Sequence, residues 1–195
     1  MITLIVLAAG KSTRMKGRNK LLAVVQGRPI IRRVVEAALD SKVDETIVVV
    51  GWDENNVREV LGGLPCRLIV NREFEKGQSS SLKAGLNEVD PETRAVLVLP
   101  GDIAKIDSQS INKVVNSYIS DGGTILVAAH NGRHGHPILI DRRLFRDIVQ
   151  ITEETHGLKS VIKNHQNEIR LVEVGTDNVL GDVDTPEDLQ RLSSP

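Results

Sequence analysis

Five short runs along this chain are apolar at nearly every position: "ITLIVL" (2–7), "ETIVVV" (45–50), "CRLIV" (66–70), "RAVLVL" (94–99) and "TILVAA" (124–129). Continuous Val, Ile and Leu, without alternation, is the pattern of strands buried on both faces, as in a parallel sheet. Between the runs lie amphipathic stretches. "PIIRRVVEAALDS" puts Ile30, Ile31, Val34, Val35, Ala38 and Leu39 on one helical stripe, with Pro29 in the first turn. "DENNVREVLGG" has Asp53 as a helix cap and stops at Gly62 and Gly63, and "SLKAGLNEV" and "SINKVVNSYIS" continue the alternation. Strand then helix, repeated, predicts an α/β fold with a mainly parallel sheet and helices on both faces. No repeat or linker divides the chain, so residues 1–195 read as one domain.

Composition narrows the function. A chain of 195 residues buries roughly 70% of its extended surface on folding, enough for a real core. One cysteine, Cys66, leaves no intrachain disulfide and no cysteine-built zinc site. Four aromatic residues and a net charge of -1 argue against a nucleic-acid surface. The apolar runs are too short to span a bilayer, and the amino terminus is strand-like with no signal-peptide pattern, so a cytoplasmic protein is expected.

In a parallel α/β sheet ligands bind beyond the carboxyl ends of the strands. After the first run comes "AAGKSTRMKGRNK", where Lys11, Arg14, Lys16, Arg18 and Lys20 occur with no acid among them. A phosphate-cradling P-loop needs a glycine five residues before Gly10, and Ile5 stands there. What remains is a small-residue turn, Ala8, Ala9 and Gly10, followed by Lys11, Arg14 and Lys20, suited to a polyphosphate; a solvated basic loop is the alternative. "LVLPGD" puts Asp102 at the sheet rim, either a turn residue or an anchor for Mg²⁺, which favours one or two carboxylates plus phosphate oxygens. In "GDVDTPEDL", capping explains Thr185, Pro186 and Asp188 but not Asp182 or Asp184. "HGHP" (134–137) reads as a turn between strands, and His130, His134 and His136 lack zinc-site spacing.

Taken in order, "LAAGKSTRMKGRNKLL", "GQSSSLKAGL", "LPGD", "HGHPILI" and "DVDTPEDL" resemble the nucleotidyltransferases related to molybdenum cofactor cytidylyltransferase, over nearly the whole chain. The resemblance implies a Rossmann-like nucleotidyltransferase fold and transfer of CMP from CTP to a phosphate-bearing acceptor, molybdopterin, with release of pyrophosphate. Sugar or alditol phosphates are the competing acceptors, and a nucleotide-binding module without chemistry is the other alternative. It implies Lys11, Arg14, Lys20 and Asp102 as catalytic, with Mg²⁺ on Asp102 and Asp184. Leu7, Ala8, Ala9, Gly10, Lys20, Gly77, Gln78, Ser79 and Ser80 would bind the nucleotide, and His136 would touch the acceptor. A molybdoenzyme or a chaperone is the implied protein partner. The methyls of Ala8 and Ala9 are expected to narrow the base pocket and favour CTP over GTP.

Overall fold

The first strand, β1 (Ile2–Ala8), is apolar at nearly every position because each of its faces meets a different core. Ile2, Leu4, Val6 and Ala8 pack into one cluster and Ile5 into the other. Thr3 is the polar exception; it is fully buried, and its hydroxyl is paired with Glu45 and Thr93 at 3.2 Å each. A buried hydroxyl so satisfied escapes most of its desolvation cost.

The computed structural model describes residues 1–12, 19–183, 185 and 187–189. After β1 come a small hairpin, β2 (Val24–Val25) and β3 (Arg28–Pro29), then α1 (Ile30–Leu39), β4 (Glu45–Val50), α2 (Glu54–Val60), β5 (Arg67–Val70), α3 (Gln78–Leu86) and β6 (Ala95–Pro100). The remainder is α4 (Ser108–Asp121), β7 (Ile125–His130), β8 (Arg133–Asp141), α5 (Phe145–Gln150), α6 (Leu158–Asn164) and β9 (Ile169–Glu173). Seven strands form one sheet in the order β5-β4-β1-β6-β8-β7-β9. All neighbouring pairs are parallel except those made by β8, which runs against both β6 and β7. α1, α2 and α4 cover one face and α3, α5 and α6 the other. Among the described residues no helix is long and apolar enough to cross a membrane.

The fold is thus the α/β architecture anticipated, with three local corrections. "HGHP" is not a turn: Asn131 and Gly132, both at positive φ, make the turn between β7 and β8, leaving His134 to Pro137 inside β8. Asn-Gly suits a tight hairpin because both residues tolerate left-handed backbone. Pro137, which has no N–H to give, lies just before the point where β8 begins to pair with β6, at Ile138 opposite Val98. Asp53 stands before α2 but its side chain caps no backbone N–H; it lies at φ 61° and its carboxylate is turned elsewhere. Pro29 precedes α1 rather than lying in its first turn, and belongs to β3.

Candidate active site

From β1 the chain passes to β4 and β5 on one side, then returns to β6 on the other, so the order reverses between β1 and β6. A crevice opens at such a point because successive connections leave in opposite directions. Gly101 draws its two walls together: its N–H donates to the Leu7 carbonyl at 2.9 Å, and a side chain here would meet that same oxygen and Ile31 at 3.0 Å. Glycine is therefore what lets Asp102 stand beside the end of β1.

Asp102 and Lys20 meet at the floor of this crevice, Lys20 Nζ lying 2.5 Å from Asp102 Oδ2, with side chains 17% and 14% exposed respectively. The other carboxylate oxygen, Oδ1, is buried with no hydrogen-bond partner among the described residues. The Asp102 carbonyl also accepts from Val183 N–H at 3.2 Å, which brings Val183 to the same rim. Across the mouth, Lys11 Nζ pairs with Glu75 Oε1 at 2.5 Å and lies 5.8 Å from the centre of the Phe74 ring.

Two cavities adjoin here. The smaller, about 460 Å³, is lined by Ala9, Gly10, Lys11, Ser12, Lys20, Gly77, Gln78, Ser81 and Asp102 among others. The larger, about 740 Å³, is lined by Ser79, His136 and Glu153, by apolar side chains including Leu82, Val98, Val127 and Ile138, and by Lys159 and Lys163. Leu7, Gln78 and Pro100 belong to both walls. His136 Nδ1 is buried without a partner among the described residues. Burial pushes the His136 imidazole below its ordinary pKa, against the opposing pull of the Asp102 and Asp182 charges and a hydrogen bond to the Val98 carbonyl.

The candidate residues therefore converge, though not all on one surface. Ala8 lines neither cavity; it is buried in the core, so of the two alanines only Ala9 can narrow the smaller cavity. Ser80 also lines neither: its hydroxyl donates toward the Glu73 and Gly77 carbonyls and accepts from Asn71 Nδ2. Ser79 faces the larger cavity, where its N–H and hydroxyl both donate to Glu153 Oε1 at 2.7 Å. Arg14 and Asp184 lie outside the described residues. Among the described residues no three or more His, Cys, Asp or Glu side chains are grouped to hold a metal ion.

Glu153 and Asn19 are not singled out by the sequence, and Ser81 only as part of its run, without an assigned role. Ser81 is the third serine of the run already singled out, and helical geometry decides which of the three faces the cavity. Glu153 reaches Ser79 across 74 residues of sequence, a contact that local pattern does not signal.

A family model described as the MobA-like NTP transferase domain matches residues 4–169. The chain belongs to that family. It is 32% identical over 181 residues to the bifunctional protein GlmU of Heliobacterium modesticaldum, an alignment that takes in 89% of this chain but 37% of the relative. The chain spans little more than a third of that protein's length. Rv0371c from Mycobacterium tuberculosis H37Rv superposes with a TM-score of 0.85 at 26% identity, covering 98% of this chain and 96% of the other. The same mycobacterial protein has been solved in complex with manganese, at a TM-score of 0.79 and 24% identity, covering 98% and 97%.

Proposed function

We propose that this chain is a Mg²⁺-dependent nucleotidyltransferase that moves CMP from CTP onto a phosphate-bearing acceptor, molybdopterin, and releases pyrophosphate. The observation that carries the reading is the Lys20–Asp102 pair with its bare Asp102 Oδ1, set where a cation-lined cavity adjoins a larger one. A buried carboxylate oxygen without a donor is costly unless a cation completes it, so the site fits a divalent ion. Asp102 would hold that ion together with Asp184, and the ion would neutralise charge on the triphosphate.

The chain's own residues account for the rest. Lys20 and Lys11 present ammonium groups to the triphosphate, and the Ala9–Gly10 turn allows its close approach. An acceptor phosphate oxygen bonds to the α-phosphorus as the bond from that phosphorus to the β-bridging oxygen breaks, pyrophosphate leaving with the electron pair. Such chemistry needs alignment and neutralised charge and no nucleophilic side chain. His136, buried and with its Nδ1 turned to no protein partner among the described residues, would face the acceptor there. The larger cavity sets apolar walls, Leu82, Val98 and Ile138, beside Lys159 and Lys163, which suits an acceptor that carries both a flat ring system and a phosphate.

Pyrophosphate release is the test, with CTP, GTP or UTP, Mg²⁺, and molybdopterin or a sugar or alditol phosphate. Release with CTP and molybdopterin is expected. Release only with a sugar or alditol phosphate would replace the acceptor, and triphosphate binding with no release in any combination would leave a binding module.

A further inference from the structure

The residues at the end of β4 have no part in the site described above, yet they grip the triphosphate loop at two places. Trp52 N–H donates to the Ala9 carbonyl at 3.2 Å, just after β1. Asp53 Oδ2 accepts from Asn19 Nδ2 at 3.2 Å, at the loop's other end, and Asp53 Oδ1 accepts from Asn56 Nδ2 at 2.5 Å. Asn19 is itself buried, and its Oδ1 accepts from Leu21 N–H at 3.1 Å, fixing the turn that carries Lys20. The Lys20 N–H is held as well, by Ser12 Oγ at 3.2 Å.

Asp53 does this from a left-handed backbone, φ 61°, which costs an L-residue energy and which aspartate tolerates better than most. A residue chosen only to start α2 would cap it, and Asp53 makes no side-chain bond to the helix backbone. We infer that Asp53, acting through Asn19, is a positioning residue for the triphosphate: it sets the turn from which Lys20 reaches both Asp102 and the phosphates. The inference rests on the nucleotidyltransferase reading of that loop.

Asp53→Gly separates positioning from stability, because glycine relieves the left-handed strain while deleting the carboxylate. Its melting temperature should stay close to wild type, while its calorimetric dissociation constant for Mg²⁺-CTP rises about tenfold, the scale of a small misplacement in a preorganised site. Asp53→Asn tolerates the same backbone and keeps an oxygen for Asn19, so it should restore most of the affinity. In the Asp53→Gly/Asn19→Ala double variant the losses should not add, since both changes cut one relay. Wild-type affinity in Asp53→Gly, or a loss that merely tracks a lowered melting temperature, would overturn the inference and leave the proposed function standing. A wild-type protein that binds no nucleoside triphosphate would remove both.

Discussion

Lys20 Nζ and Asp102 Oδ2 lie 2.5 Å apart, joining the loop after β1 to the rim of β6. The pair is mostly buried, and it spends only one of the two carboxylate oxygens. That asymmetry leaves room for a cation and makes the metal role proposed for Asp102 measurable. Asp102→Asn keeps an oxygen for Lys20 while removing the charge a cation needs. Turnover should fall by about two orders of magnitude or more, the size of a major electrostatic contribution, with the denaturation midpoint little changed. Chelation of divalent ions should abolish the wild-type activity and leave so little in Asp102→Asn that the two become alike. Near-normal turnover in the variant would remove Asp102 from the site.

The second carboxylate can be assigned by comparison. Val183 N–H is bonded to the Asp102 carbonyl, and Asp182 and Asp184 are its neighbours in sequence. Asp182 is exposed and bears on the site through its charge at His136. Asp184→Asn should match the loss in Asp102→Asn, whereas Asp182→Asn should cost severalfold at most, in keeping with a screened charge. The reverse ranking in a steady-state assay would make Asp182 the partner of Asp102.

How much of this was legible depends on how local the determining contacts are. Four of the five apolar runs, β1, β4, β6 and β7, announce themselves because both faces are buried, whereas β5 is a less buried edge strand; Asp102 and Lys20 could be brought together because each follows one of two neighbouring strands. β9 is an edge strand whose Leu171 and Glu173 face outward, so its run is broken by charge. α5 and α6 are 6 and 7 residues long, too short for a helical period to repeat convincingly. Asn131–Gly132 was a readable hairpin signal, eclipsed by the histidines beside it. The Glu153–Ser79 and Asp53–Asn19 contacts join distant segments and exist only once the sheet has formed.

Away from the site, a buried pair should govern the pH limits of stability. Tyr118 on α4 donates its hydroxyl to Asp141 Oδ2 at 2.7 Å at the end of β8. Burial, reinforced by the hydrogen bond to Asp141 and its charge, pushes the Tyr118 phenol up to about 12. Burial would raise Asp141, but hydrogen bonds from Tyr118 and from Arg143 outweigh it and hold the carboxyl below its ordinary range. The lowered Asp141 contributes stability above its unfolded pKa, about 4, lost as pH falls through the folded value; the raised Tyr118 contributes below about 10, lost as pH climbs through the folded value. Tyr118→Phe should therefore cost about 1.5–3 kcal/mol near pH 7, the worth of a hydrogen bond to a charged group. The cost should shrink at both extremes. Urea unfolding at acid, neutral and alkaline pH would measure it, and a penalty independent of pH would refute the coupling.

The choice of base falls to a narrower set of atoms than the sequence suggested. Ala8 is packed in the core, so of the two alanines only Ala9 lines the smaller cavity, and it is held there because its carbonyl accepts from Trp52 N–H. Behind it stands Gly51, where a side chain would come within 2.9 Å of the Ala9 methyl, so glycine there is what lets Ala9 hold this place. CTP should therefore bind better than GTP. A single methyl separates ligands by only about 1–3 kcal/mol, so the preference should be finite, and Ala9→Gly should narrow it by raising affinity for GTP more than for CTP. Thermal-shift titration with Mg²⁺ and each triphosphate reads this directly, because a ligand bound only by the native state stabilises it by the logarithm of one plus its concentration over the dissociation constant. Greater stabilisation by GTP than by CTP at equal concentration would overturn the cytidylyl assignment while leaving nucleotidyl transfer intact.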